Sequence, residues 1–255
     1  MRIRFLGTGT STGNPEIGCQ CEVCTSQDPK DRRLRTSALV EINGSHILID
    51  CGPDFRAQIL EEIKFHGFRN LDGVLITHEH YDHVGGLDDL RSFCKEGPVN
   101  VYAESYVADA IRQRIPYVFT DNKYPGVPNL MLHKIENKPF FINGIEVCPI
   151  RVLHGRLPIL GYRIENMAYL TDLKFIPEEE FEKLKGLDVL IINALREEEH
   201  ISHETVADAL IHIEKIKPES AYLIHMSHHF GLHEAMRKNM PPGVIISYDG
   251  LEIFC

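Results

Sequence analysis

The chain opens on an alternation, Ile3 and Phe5 against Arg2 and Arg4, that stops at Gly7, so its first residues predict a half-buried strand running into a turn. Two apolar runs follow, "SALVEING" and "HILIDCGPD", separated by Asn43-Gly44, a hairpin signal. Helical spacing covers residues 54–64, with Asp54 as the expected N-cap. "LDGVLIT" then predicts a buried strand, and "THEHYDHVGGLDDL" (77–90) stands at its C-terminal end. "PVNVYAE" reads as a strand and "SYVADAIRQRI" as a helix capped by Ser105; the irregular stretch at 116–129 is expected to be a lid. Strand patterns return at 139–153, 160–165 and 167–171, before "PEEEFEKLKG" predicts an acid-led helix ending near Gly186. "LDVLIINAL" predicts a strand, "SHETVADALIHIEKI" a helix opened by Ser202 or His203, "SAYLIHMS" a strand, and "GVIISYDGLEIF" a closing hairpin.

One pattern occurs twice. "LDGVLITHEHYDHVGGLDDL" and "LDVLIINALREEEHISHETVADALIHI" each run from Leu-Asp through an apolar strand and a His-bearing loop to a helix. That echo fits an α/β fold built as a pseudo-duplicated sandwich, two sheets inside and helices outside, with each half delivering side chains from strand ends to one edge. No linker divides the chain, so residues 1–255 are expected to form one domain.

Composition narrows the function classes. A hydrophobic share of 43% and a charged share of 25% are ordinary for a globular protein. The net charge of −10 disfavours a broad grip on nucleic acid, which needs many Lys and Arg contacts to phosphate. The N-terminal apolar stretch is far shorter than a signal-peptide core and no run approaches membrane-spanning length, so a cytoplasmic location is expected. Seven cysteines, three of them crowded into "CQCEVC", suit metal binding better than a disulfide framework.

His78, His80, Asp82 and His83 lie in a loop just past a strand end, and Gly85 and Gly86 let the backbone turn tightly behind them. Imidazoles and a carboxylate at H-x-H-x-D-H spacing match borderline metal chemistry. One loop cannot complete two sites, and His154, Asp172 and His225 each stand at or just past the end of an apolar strand-like run, the same local setting. Cys19, Cys21 and Cys24 supply three thiolates at C-x-C-x2-C spacing for a closed structural zinc site, whose fourth ligand must come from elsewhere.

"THEHYDHVGG" together with His154, Asp172 and His225 resembles the metallo-β-lactamase superfamily over essentially the whole chain. The resemblance implies a four-layer αββα sandwich of two mixed sheets. It implies one metal held by His78, His80 and His154, a second by Asp82, His83 and His225, and Asp172 bridging both. "DCGPD" at 50–54 resembles the family's strand-end turn near the site, the other reading being a simple turn and helix cap. The cysteine loop narrows the resemblance to the phosphodiesterase branch that accompanies carbon–phosphorus lyase, whose pattern implies His228 as the fourth zinc ligand, with His229 as its rival. The same resemblance implies a histidine beside the metals that assists the leaving group. His203 is the preferred match and His200 the fallback. It implies a homodimer as well.

Two divalent ions, zinc or manganese, can share a hydroxide that attacks phosphorus, with His203 donating a proton to the departing alkoxide and Asp82 taking up the hydroxide's proton. Small cyclic or nucleotide-like phosphodiesters are the substrates so implied. The alternatives are thioester hydrolysis, RNA 3′-processing, or a non-enzymatic metal-binding accessory protein. A transfer-RNA 3′-end nuclease would need a basic arm, and residues 104–138 carry only scattered Lys and Arg.

Overall fold

In the computed structural model, which describes residues 1–122 and 124–255, the opening alternation becomes β1 (Arg2–Gly7). Ile3 and Phe5 enter the core, while Arg2 and Arg4 form ion pairs with Glu41, Glu62 and Glu252. The strands that follow are β2 (Ser37–Ile42), β3 (Ser45–Ile49), β4 (Gly73–Leu75), β5 (Val99–Glu104) and β6 (Leu130–Ile135). The second half supplies β7 (Phe140–Ile142), β8 (Ile145–His154), β9 (Leu157–Ile164), β10 (Met167–Leu170), β11 (Val189–Asn193), β12 (Ser220–Ile224) and β13 (Val244–Ile246); β14 (Glu252–Phe254) ends the chain.

They form two seven-stranded sheets, ordered β14-β1-β2-β3-β4-β5-β6 and β13-β12-β11-β10-β9-β8-β7. Taken from β14 and from β7, both sheets make three antiparallel pairings and then three parallel ones. The sequence echo is therefore an architectural repeat. Between the sheets lie Ile3, Phe5, Ile47, Ile49, Tyr162 and Ile191. The outer face of the first sheet is covered by α1 (Phe55–His66) and α3 (Ser105–Arg114), with the single turn α2 (Tyr81–Val84) inside the histidine motif, and that of the second by α4 (Val206–Ile216) and the short α5 (His233–Arg237). Three apolar layers between four structural layers give the expected αββα sandwich. β11 reads Val-Leu-Ile-Ile-Asn without alternation because it is buried on both faces.

Several local expectations fail for identifiable reasons. β13 and β14 form no hairpin, since they sit on the edges of opposite sheets. The chain between them is held by Asp249, which accepts from Thr8 Oγ1 and the Leu34 amide. Residues 178–184 form a 3-10 turn and no α-helix, and Arg163 takes the carbonyls of Lys183 and Lys185 beside its end. Asp54 does not cap α1; its carboxylate is taken by the Arg35 amide and guanidinium at 2.8 and 3.0 Å. Helix α4 opens on Thr205 in a capping box with Asp208, and neither Ser202 nor His203 serves. β6 arises where the pattern predicted no element.

Lys123, within the expected lid, lies outside the described residues. The flanking chain is tied beside the histidine motif: Tyr117 donates to Asp88 at 2.7 Å, and Arg114 to the Glu79 carbonyl at 3.2 Å. No helix among the described residues is long and apolar enough to cross a membrane.

Candidate metal centre

Strands β3, β4, β8, β10 and β12 end along one edge of the sandwich and deliver Asp50, the motif at 77–83, His154, Asp172 and His225. Asp50, Asp172 and His225 have φ of 61°, 57° and 58°. This left-handed conformation disfavours side chains other than glycine and is kept where the surroundings enforce it. Two glycines allow the close packing beneath: a Cβ on Gly52 would stand 2.0 Å from the Asp82 carbonyl oxygen, and one on Gly86 2.1 Å from that of Gly52. "DCGPD" is thus the turn that seats the histidine motif.

All seven donors converge in two groups, His78 with His80, His154 and Asp172, and Asp82 with His83, Asp172 and His225, each with its ligand atoms within 4.8 Å of one another. Asp172 divides its carboxylate between them. Its Oδ1 lies 3.1 Å from His225 Nε2 and 3.3 Å from His83 Nε2, while Oδ2 lies 3.8 Å from His78 Nε2. Asp82 Oδ2 stands 3.1 Å from His83 Nε2 and 3.6 Å from His225 Nε2.

Several rings are turned by partners behind them. His83 Nδ1 donates to Asp50 at 2.7 Å, His154 Nδ1 donates to the Ser202 carbonyl at 2.9 Å, and His78 Nδ1 lies 3.0 Å from Thr77 Oγ1. Asp50, itself fully buried, also accepts from the Thr77 amide and hydroxyl at 2.9 Å. The forward atoms His78 Nε2, His83 Nε2 and His225 Nε2 are buried without a hydrogen-bond partner among the described residues. Buried imidazoles with inward lone pairs and carboxylates are the donor set a pair of divalent cations requires.

The electrostatics agree. Burial favours the neutral form of Asp172, yet His225 and His83 outweigh it and hold the carboxyl well below the usual range. Burial likewise works against a charge on His83, but Asp172, Asp82 and Asp50 push its pKa well above that of a free imidazole. The carboxylates call for positive charge at this point.

His203 lies over the same gap, its ring centroid 4.5 Å from that of His154 and 5.0 Å from that of His225. His200 is farther back, beside His203 at 5.0 Å. Burial, with His225, His154 and His200 nearby, pushes His203 down to about 3.

The second cluster forms as well. Cys19, Cys21 and Cys24 place Sγ atoms 3.1, 3.5 and 3.4 Å from His228 Nδ1, while His229 points into solvent. Three thiols around one imidazole nitrogen fit a closed tetrahedral zinc site. The Cys24 amide pulls the Cys21 thiol down to about 6 against the effect of burial. The loop meets the chain three residues past His225 at His228, and the segment that leads into it bonds Met226 through the backbones of Thr8 and Thr10.

Sequence reasoning missed Asp50 and the Ser202 carbonyl as the groups that aim His83 and His154. An Asp ending an apolar strand three residues after Ile47 carried a usable signal; a backbone carbonyl carries none.

Residues 45–226 match the family described as "Beta-lactamase superfamily domain". An octanoyltransferase of Porphyromonas gingivalis is 51% identical over 99% of this chain and 51% of that protein, so the chain spans about half the length of this curated relative. A coenzyme PQQ synthesis protein B of Methylorubrum populi is 33% identical over 76% of this chain and 72% of that protein. A solved structure described as a new diphosphatase from the PhnP family superposes with a TM-score of 0.92 at 36% identity, covering 100% of this chain and 97% of the other. The matched span takes in all seven converging donors and both halves of the sandwich: the chain belongs to the metallo-β-lactamase superfamily.

Proposed function

We propose that the chain is a dinuclear metal-dependent phosphodiesterase acting on small phosphodiesters, cyclic or nucleotide-like. The division of the Asp172 carboxylate between two histidine groups whose inward nitrogens lack partners carries this reading. His78, His80, His154 and Asp172 would hold one cation; Asp82, His83, His225 and Asp172 the other. Two such ions supply Lewis acidity and a water acidic enough to attack phosphorus at neutral pH.

The protein's own groups do the rest. Asp50, Thr77 and the Ser202 carbonyl orient three of the imidazoles, and the Gly52 and Gly86 contacts keep the strand-end turns in place. His203, over the gap, delivers a proton to the departing oxygen, and a bound phosphate anion supplies the negative charge that raises its pKa for that role. Asp82 serves as ligand and proton acceptor. Cys19, Cys21, Cys24 and His228 hold a structural zinc.

The PhnP-family structure, named a diphosphatase and similar over its full length, supports phosphorus–oxygen cleavage. Octanoyl transfer is named for a protein about twice as long, and we do not assign it to this part. The test is metal analysis beside hydrolysis of bis-p-nitrophenyl phosphate and a panel of cyclic diesters with added Mn2+ or Zn2+, for the native chain and Asp172→Ala. Metal-dependent turnover lost in Asp172→Ala supports the reading. Bound metal without turnover on any diester would leave an accessory protein of the kind suggested by the coenzyme PQQ synthesis relative.

A further inference from the structure

We infer that Glu204 and His212 form a positioning pair, a buried carboxylate and imidazole that lock the chain at residue 204 and through it aim His203 at the departing group. The inference rests on the role given to His203 above.

Glu204 is fully buried, and its Oε1 lies against His212 Nδ1 on α4. No conventional partner besides His212 meets either carboxylate oxygen among the described residues. A carboxylate taken out of water and met by one imidazole is an expensive packing residue unless the pair does something that an apolar side chain could not. Burial pushes its carboxyl up to about 7, so the pairing is not a simple surface ion pair drawn inward.

Its position says what the pair does. The Glu204 amide donates to Leu173 O at 2.9 Å, next to Asp172, and its carbonyl accepts from Leu195 N at 3.1 Å, past the end of β11. One residue later Thr205 caps α4. Residue 204 is therefore where the loop bearing His203 is fastened to both the bridging carboxylate's turn and the helix. Among the described residues no hydrogen bond holds the His203 ring at Nδ1, which is buried without a partner. His83 and His154, by contrast, are each held by a hydrogen bond behind the ring. Apart from its packing on His154, His200 and His225, the aim of His203 comes from its backbone, which the Glu204 amide fastens to Leu173 and the Glu204 side chain ties to His212 on α4. From α4 and the turn after β10, Asp208 and Lys174 are the other charges facing Glu204.

The test compares the metal-loaded full chain with Glu204→Ala, Glu204→Gln, His212→Ala and His203→Ala on two substrates. One is bis-p-nitrophenyl phosphate, whose aryl leaving group needs little protonation; the other is a cyclic nucleoside monophosphate, whose alkoxide needs it. Glu204→Ala and His212→Ala should each lower kcat on the cyclic diester roughly 10- to 100-fold with KM unchanged, and affect the aryl diester far less. Glu204→Gln should recover part of the loss, the Glu204→Ala, His212→Ala double variant should be no worse than the worse single, and bound-metal content should match the native chain. Equal slowing of both substrates, or no slowing, with His203→Ala still selective against the cyclic diester, overturns the pair while leaving the site's function standing. A His203→Ala variant without that selectivity overturns both. Where Glu204→Ala fails to fold, His212→Ala and Glu204→Gln decide the matter.

Discussion

Replacing Asp50 by Asn should weaken one metal position and spare the others. The native carboxylate accepts from His83 Nδ1 at 2.7 Å and from the Thr77 amide and hydroxyl at 2.9 Å, which fixes the proton of His83 on Nδ1 and leaves Nε2 as a lone pair toward Asp82 and Asp172. Asn keeps one acceptor oxygen for Thr77 and turns an NH2 toward His83. The ring must then accept at Nδ1 and carry its proton on Nε2, where a cation would bind. Outer partners of metal-bound histidines are worth about 10- to 100-fold in metal affinity. That corresponds to about 1.4–2.7 kcal/mol. Alanine is the poorer probe, since it strands three buried donors at about 1–3 kcal/mol each and puts the fold itself at risk. Calorimetric titration of metal-free Asp50→Asn with Mn2+ or Zn2+ should show the Asp82–His83–Asp172–His225 position weakened by that factor, and the cysteine cluster unchanged. Native affinity at every position would refute the tautomer argument.

Other outcomes follow from the same geometry. Cys21→Ser should remove one zinc per chain by elemental analysis and lower the melting temperature, because the 19–24 loop loses its tie to the strand end at His225. Gly52→Ala drives a Cβ to 2.0 Å from the Asp82 carbonyl, and chemical denaturation should show a loss at or above the roughly 1–3 kcal/mol typical of overpacking. The folded chain holds a proton on Glu204 up to about pH 7 that the unfolded chain releases near 4.5, so this residue's contribution to stability declines as pH rises through that window. In metal-free protein the melting temperature of Glu204→Gln should therefore change less between those pH values than that of the native chain; an equal or steeper change would count against the buried, protonated state.

The set of converging donors was more legible in the sequence than the joints that support it. The donors declare themselves because a histidine or aspartate just past an apolar strand is conspicuous, and seven of them in that setting imply convergence. Local punctuation was less reliable. Asp54 has the composition of a cap, but Arg35, distant in sequence, captures its carboxylate first. Ser202 and His203 precede α4 closely, yet Thr205 alone has an acidic residue three positions on to complete a capping box. The last two strands looked like a hairpin because nothing local reveals that Asp249 is bound by Thr8 and Leu34 at the other end of the chain. At Asp54 and at the last two strands a long-range partner displaced a neighbour, whereas at α4 a better local cap did.

The matching order of pairings in the two sheets has a further consequence. His78, His80, Asp82 and His83 belong to the first repeat, and His154, Asp172 and His225 to the second, so neither repeat could furnish either coordination sphere by itself. Cations captured there would act as rivets across the seam between the halves. Prying the repeats apart would release the ions, and withdrawing the ions would loosen the seam.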